Sequence, residues 1–404
     1  MPGFFNPQAY DKNSKGTPKN ISQCGKCGLS RKCLSPKMEV YGSGDRKILF
    51  IGEAPGIEED KLGELFVGPS GEMMRAIMEE VGIDLEDCSS TNSITCRPEE
   101  DRVEPYMTSC CRPNLLRTIK KIKPKVIIPL GISALESILF DVWKKSVDGI
   151  SRWVGYTIPL REYDAWVCPT YSPEFVLHKE NPILTASFAR HIQAALALED
   201  VKPGYLKIED LEETVEIIRS TKEAKKRMLD LATRSGYLAW DYETTGLKPD
   251  RKKQRIVSVS FCLDGKETFA CMMNKKLKEP LIQILKNKRL KKIASNMKFE
   301  ERWSIAKLKT KCLGWWWDTM LAAHMIDNRS KITSVKFQAF VLLGISDYDS
   351  HISPYLKASG SNELNRIYEL DRDDLLLYNG MDSILEYLVC FKQREIIKNK
   401  GKGR

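Results

Sequence analysis

Residues Tyr237 to Leu247 read YLAWDYETTGL, and the second half of the chain is organised around that line. An apolar run leads into Asp241 and Glu243, two positions apart. In an extended strand alternate side chains leave the same face, so both carboxylates point at one spot. Like charges that close repel unless a cation sits between them, and oxygen donors suit magnesium or manganese. Taken alone, the pair reads equally as a solvated acidic strand end. The basic turn Arg251 to Arg255 and the run RIVSVSFCL follow, so the segment opens as antiparallel strands.

Two later segments carry matching chemistry. Leu375 to Leu388, LLLYNGMDSILEYL, reads as a helix with Tyr378 and Asp382 at i and i+4, on one face. IASNMKFEERW, from Ile293, passes from a strand into a helix with Asn296 at the turn and Glu300 and Glu301 in the first turn, where acids also suit the helix dipole.

In this order and spacing the three segments resemble the 3′-5′ proofreading exonuclease domain of family A DNA polymerases, the class named for four acidic residues and a tyrosine. The likeness spans about Tyr205 to Lys400. It implies a ribonuclease H-like domain with a mixed sheet and two magnesium or manganese ions. Asp241, Glu243 and Asp382 would hold one ion, and Asp241 and Glu300 the other. Tyr378 would orient the attacking water at a single-stranded 3′ end, releasing 5′ nucleotides. Most relatives carry Asp where this chain has Glu300, and Glu301 is the alternative ligand if the register slips. Asp318, in WDTMLAAHMIDNR, is expected to cap a helix.

The first half begins its ordered pattern at Lys47, where ILFIG reads as a buried strand before a Gly- and Pro-rich turn and a helix over Gly71 to Val81. KVIIPL, Lys125 to Leu130, and Trp166 to Pro169 read as further strands. Repeated strand, loop and helix units predict an α/β domain with a parallel sheet and its site at the strands' C-terminal ends. A helix is expected around Ser187 to Leu198.

The turn Gly52-Glu53-Ala54-Pro55-Gly56, the segment ELFVG at Glu64 to Gly68, and TNSITCRP from Thr91 are weak signals singly. With the cysteines they resemble a family 4 uracil-DNA glycosylase, the iron-sulfur type, over roughly Ser22 to Leu198. The resemblance implies a uracil pocket of Glu53, Ala54, Phe66, Asn92 and Ser172. Phe66 would stack on an extruded base, Asn92 would read its edge and Glu53 would position water. It also assigns Cys24, Cys27, Cys96 and Cys111 to one 4Fe-4S cluster; zinc would accept the same four thiolates. Cys33 and Cys110 are spare thiols able to substitute. The family's closing motif is a His-Pro pair, and here Ser172 precedes Pro173. His178, six residues on, is the imidazole that could turn back into the site. A binding or uracil-sensing module is therefore favoured over an active glycosylase.

The 404 residues predict two domains: 22-200 glycosylase-like and 211-404 exonuclease, with a flexible segment 1-21 and a linker 201-210. A charged helix is expected over Glu212 to Thr233. The net charge of +10 suits a polyanion, and the strip RTIKKIKPK from Arg117 and the turn at Arg251 are candidate phosphate contacts. No apolar run at the start suggests a signal or membrane span, so a cytoplasmic protein of a bacterium or a phage-infected host is expected. The fused order resembles the front end of certain phage DNA polymerases. With 22 residues after Asp382 there is no room for a polymerase, so the chain is expected to be a fragment or a separate factor beside a polymerase subunit. The competing readings are an active glycosylase joined to the exonuclease, and a largely non-catalytic accessory that recruits a polymerase.

Overall fold

The computed structural model describes residues 22–360 and 362–402, so the expected flexible segment 1-21 lies outside the described residues. The chain divides into two compact units, with the boundary between Tyr205 and Leu206.

In the first unit, β1 (Ile48–Gly52), β2 (Ser89–Asn92), β3 (Val126–Pro129), β4 (Ile158–Leu160) and β5 (Ala165–Val167) form one sheet in the order β2-β1-β3-β5-β4. All neighbours are parallel except β4, which runs antiparallel to β5. Ile48, Phe50, Val126 and Ile128 pack against Met74, Ile77 and Met78 of the helix Pro69–Glu80 and Phe188 and Ile192 of the helix Pro182–Leu196. Continuous apolar runs such as ILFIG belong in a sheet covered on both faces. Every residue of β2, SSTN, is buried, yet none is apolar, so hydrophobic patterning gave no sign of it.

The second unit is built on β6 (Val215–Ile218), β7 (Gly236–Thr244), β8 (Ile256–Leu263), β9 (Glu267–Met272), β10 (Leu290–Ala294) and β11 (Trp315–Asp318). Their order is β11-β10-β7-β8-β9-β6, with β7, β8 and β9 antiparallel and the outer pairings parallel. Of the helix expected over Glu212 to Thr233 the structure keeps the second half, and a strand replaces the first. A short helix, Ile208–Glu212, precedes β6, and Ser220 caps a separate helix, Thr221–Leu231. The β-branched residues of TVEII favour the strand, and the dense charge around them concealed it. Helix also begins at Ile208, inside the stretch expected to be linker.

Strand alternation decides what each face of β7 meets. Leu238, Trp240 and Tyr242 enter a core with Met228, Leu231, Leu281 and Trp303. Ala239 faces the other way, onto Met381, Leu385 and Val389 of the helix Arg372–Lys402. Asp241 and Glu243 share that second face. Among the described residues, no helix is long and apolar enough to cross a membrane.

Candidate functional site

In the second unit, β7 and the helix Arg372–Lys402 bring Asp241, Glu243 and Asp382 together, with one oxygen of each within 4.8 Å of the others. Asn379 fixes the first of these: its Nδ2 donates to Asp241 Oδ2 at 2.8 Å, and its Oδ1 accepts from Ser258 Oγ at 2.9 Å. Tyr348 donates its hydroxyl proton to Asp382 Oδ1 at 2.5 Å. Lys336 donates to the Tyr378 hydroxyl at 2.8 Å and pairs with Asp349 at 2.9 Å.

Glu300 lies in the helix Met297–Trp303 and is 2% exposed. Its Oε2 is buried without a hydrogen-bond partner, and its charged neighbours include Asp241 and Glu243. Glu301 does not compete for that place, because its Oε2 accepts from Cys312 N at 3.0 Å and Trp315 Nε1 at 3.3 Å. Asp318 caps two helices at once, accepting from Asn296 N and Met297 N on one and Met320 N and Leu321 N on the other.

Burial raises the affinity of Asp241, Glu243, Glu300 and Asp382 for protons. Asp241 is held up by burial and then by Asp382, and Glu243 and Glu300 by burial and then by Asp241. Burial also raises Asp382. For Lys336 burial acts downward, but Asp382 and Asp349 outweigh it and keep the ammonium charged. Several carboxylates sharing so little water make a place for cations rather than for one more proton donor. Motif reading missed Lys336, Tyr348 and Asp349, which lie outside the quoted patterns, and left Glu386, inside LLLYNGMDSILEYL, without a role. Asn379 stood inside a pattern, next to Tyr378, and its role was not assigned.

In the first unit the expected pocket residues stand at the C-terminal ends of the parallel strands. Glu53 and Ala54 follow β1, Asn92 ends β2, and Ser172 follows β5. Asn92 is 7% exposed and its Nδ2 has no partner, which leaves a donor for a ligand. A Cβ on Gly52 would lie 2.1 Å from Asn92 Oδ1, so a larger residue there would displace the Asn92 amide. The Glu53 carboxylate accepts from Ser133 N at 2.9 Å, at the start of the helix Ile132–Leu139.

Phe66 belongs to the core yet has φ 57°, a left-handed backbone rarely adopted by a bulky residue. Glu59 holds it there, accepting from Phe66 N at 2.5 Å and from Gly56 N at 2.9 Å, and so ties the turn after β1 to the aromatic. Arg75 grips the Phe66 carbonyl at 2.7 Å. Backbone strain held by such clamps is characteristic of ligand sites.

Ser172 is used differently. Its hydroxyl caps the helix Pro173–Lys179 by accepting from Phe175 N at 3.4 Å. His178 does not turn back: it lies four residues beyond Glu174 on the solvent side of that helix, 3.6 Å from its carboxylate, with 77% of its side chain exposed.

Cys24, Cys27, Cys96, Cys110 and Cys111 line one cavity with Leu29 and Ile94. Lys37 N donates to Cys96 Sγ at 3.2 Å and Asn114 Nδ2 to Cys111 Sγ at 3.7 Å. Cys33 lies beside Cys96.

Residues 39–197 match the family described as the uracil DNA glycosylase superfamily, and residues 206–353 match the family described as 3′-5′ exonuclease. The type-4 uracil-DNA glycosylase of Saccharolobus solfataricus is 35% identical over 191 residues, covering 45% of this chain and 85% of that protein. The type-4 enzyme of Thermotoga maritima is 33% identical over 182 residues, covering 43% of this chain and 88% of that protein. Among solved structures, Brucella melitensis NrnC aligns with a TM-score of 0.36 and 16% identity over 47% of this chain and 84% of its own.

Proposed function

The chain belongs to the type-4 uracil-DNA glycosylase family through its first unit and carries a 3′-5′ exonuclease domain in its second; we propose that it degrades DNA from single-stranded 3′ ends by two-metal hydrolysis while the first unit binds DNA and senses uracil. The observation that carries this reading is the convergence of Asp241, Glu243 and Asp382 within 4.8 Å, beside the unpartnered buried oxygen of Glu300.

The donor set is all oxygen and densely acidic, which fits magnesium or manganese. Asp241, Glu243 and Asp382 would hold one ion, and Asp241 and Glu300 the second. Two such ions supply a clamp on the scissile phosphate, a lowered pKa for water and charge relief on both oxygens of an in-line displacement. The protein's own part is positioning. Asn379 locks the Asp241 carboxylate, Tyr348 locks Asp382, and Tyr378, whose oxygen accepts from Lys336, orients the attacking water. The products are 5′ nucleotides and a shortened strand. A 5′-labelled single strand shortening stepwise in magnesium, and arrested by EDTA, supports the reading; persistence of the full-length strand in magnesium contradicts it.

In the first unit Phe66 supplies the aromatic face and Asn92 an unpaired amide for a base edge, whereas Ser172 offers no imidazole and spends its hydroxyl on a helix cap. We therefore read it as a uracil binder with little excision. The thiols of Cys24, Cys27, Cys96 and Cys111 line one cavity, and the likeness to type-4 glycosylases supports an iron-sulfur cluster there, although zinc would accept the same four thiolates. Preferential retention of uracil-containing DNA without abasic-site formation is the expected behaviour, and rapid formation of abasic sites would overturn it. Activity within a polymerase assembly is a further part of the proposal, supported by the resemblance of the exonuclease motifs to those of polymerase proofreading domains.

A further inference from the structure

Glu386 stands four residues beyond Asp382, so Tyr378, Asp382 and Glu386 follow one another along a single face of the helix Arg372–Lys402. It is 2% exposed. Its Oε1 accepts from Ser295 N at 3.0 Å, which pins it to the turn that launches the helix carrying Glu300. Its Oε2 is buried with no hydrogen-bond partner, and so is Oε2 of Glu300. The charged groups that act most strongly on Glu386 are Asp241, Glu300 and Asp382, all acids.

A cap for Ser295 N requires one neutral acceptor, and glutamine would serve. A full negative charge buried against three other carboxylates is unfavourable unless a cation joins them. The hydrogen bond to Ser295 leaves the second oxygen of Glu386 available, as the outer partners of metal ligands commonly do.

We propose that Glu386 is a fifth carboxylate of the metal centre, serving the second divalent cation from beside Glu300 through its free oxygen. This rests on the two-metal reading above. The longer side chain of Glu300, in place of the usual aspartate, is then one half of a glutamate pair that remodels the second cation site.

The test is Mn2+ binding to the full-length, metal-stripped chain, measured by calorimetry and by the electron paramagnetic resonance of free Mn2+. The wild-type chain should bind two ions. Glu386→Gln preserves the acceptor for Ser295 and should retain one ion while binding the other at least tenfold more weakly, and Glu300→Gln should lose the same ion. Adding Mn2+ should raise the Tm of Glu386→Gln less than that of wild type. Glu386→Ser, a second variant that also removes the charge, should show the same binding loss. If either folded Glu386 variant binds both ions with wild-type affinity, the inference falls while the two-metal reading stands. A wild-type chain that binds fewer than two Mn2+ ions overturns both.

Discussion

Replacing Ser172 by histidine should convert the first unit from a uracil binder into a measurable glycosylase. The position directly precedes Pro173, follows the end of β5 and has φ −71° and ψ 142°, an extended backbone open to histidine. The structural cost is the helix cap. Its hydrogen bond to Phe175 N is long at 3.4 Å, so the loss belongs near the lower end of the usual range of about 0.5–2 kcal/mol. That corresponds to a fall in Tm of about 2 °C in a unit of this size. The gain is one fixed partner for charge on the departing base, worth about 2.7–4 kcal/mol, or roughly a hundred- to a thousandfold in rate. Because the gain acts only in the transition state, uracil affinity should change little. The assay is abasic-site formation on a labelled uracil-containing strand under single-turnover conditions. A folded Ser172→His protein that still binds this strand, yet forms abasic sites no faster than wild type, would refute the reasoning that the imidazole is the missing part.

In metal-free protein, Asp241, Glu243, Glu300 and Asp382 all bind protons more readily than free carboxyls. Their stabilisation is complete below the unfolded values of about 4 and is lost as pH rises through the raised folded values. The Tm in EDTA should therefore fall as the pH climbs above about 5, and saturating Mn2+ should flatten that slope; an unchanged slope in Mn2+ counts against a metal centre. Lys336→Met removes the donor to Tyr378 and the partner of Asp349. It should lower kcat about 10- to 100-fold, the worth of one charge-assisted hydrogen bond, with little effect on KM for single-stranded DNA, and Lys336→Arg should recover part of the loss; an unchanged kcat removes Lys336 from the mechanism. Cys96→Ser should abolish brown colour and visible absorbance and lower the Tm, whereas a colourless wild-type protein containing zinc would reassign the thiol site.

The parts legible in the sequence were those with a periodicity or a dense motif. ILFIG announced a buried strand, and Asp241 with Glu243 announced a shared face, because strand alternation leaves no other choice. Tyr378 and Asp382 were legible through helical spacing. The strand β2 was not, since its four buried residues are Ser, Ser, Thr and Asn, and their burial is set by neighbouring strands rather than by composition. Lys336 reaches Tyr378 across 42 residues of chain, a pairing that no local pattern encodes. Ser172 shows a different limit: its departure from the family pattern was visible, but the engagement of its hydroxyl as a helix cap was not.

Hydrolysis of DNA from its 3′ end at the carboxylates around Asp241 is tested by comparing wild type with Asp241→Ala on a 3′-end-labelled single strand in Mn2+, resolving the released products. Wild type should release labelled nucleoside 5′-monophosphate, and a folded Asp241→Ala chain none above background. Equal release by the two proteins would contradict a role for these carboxylates.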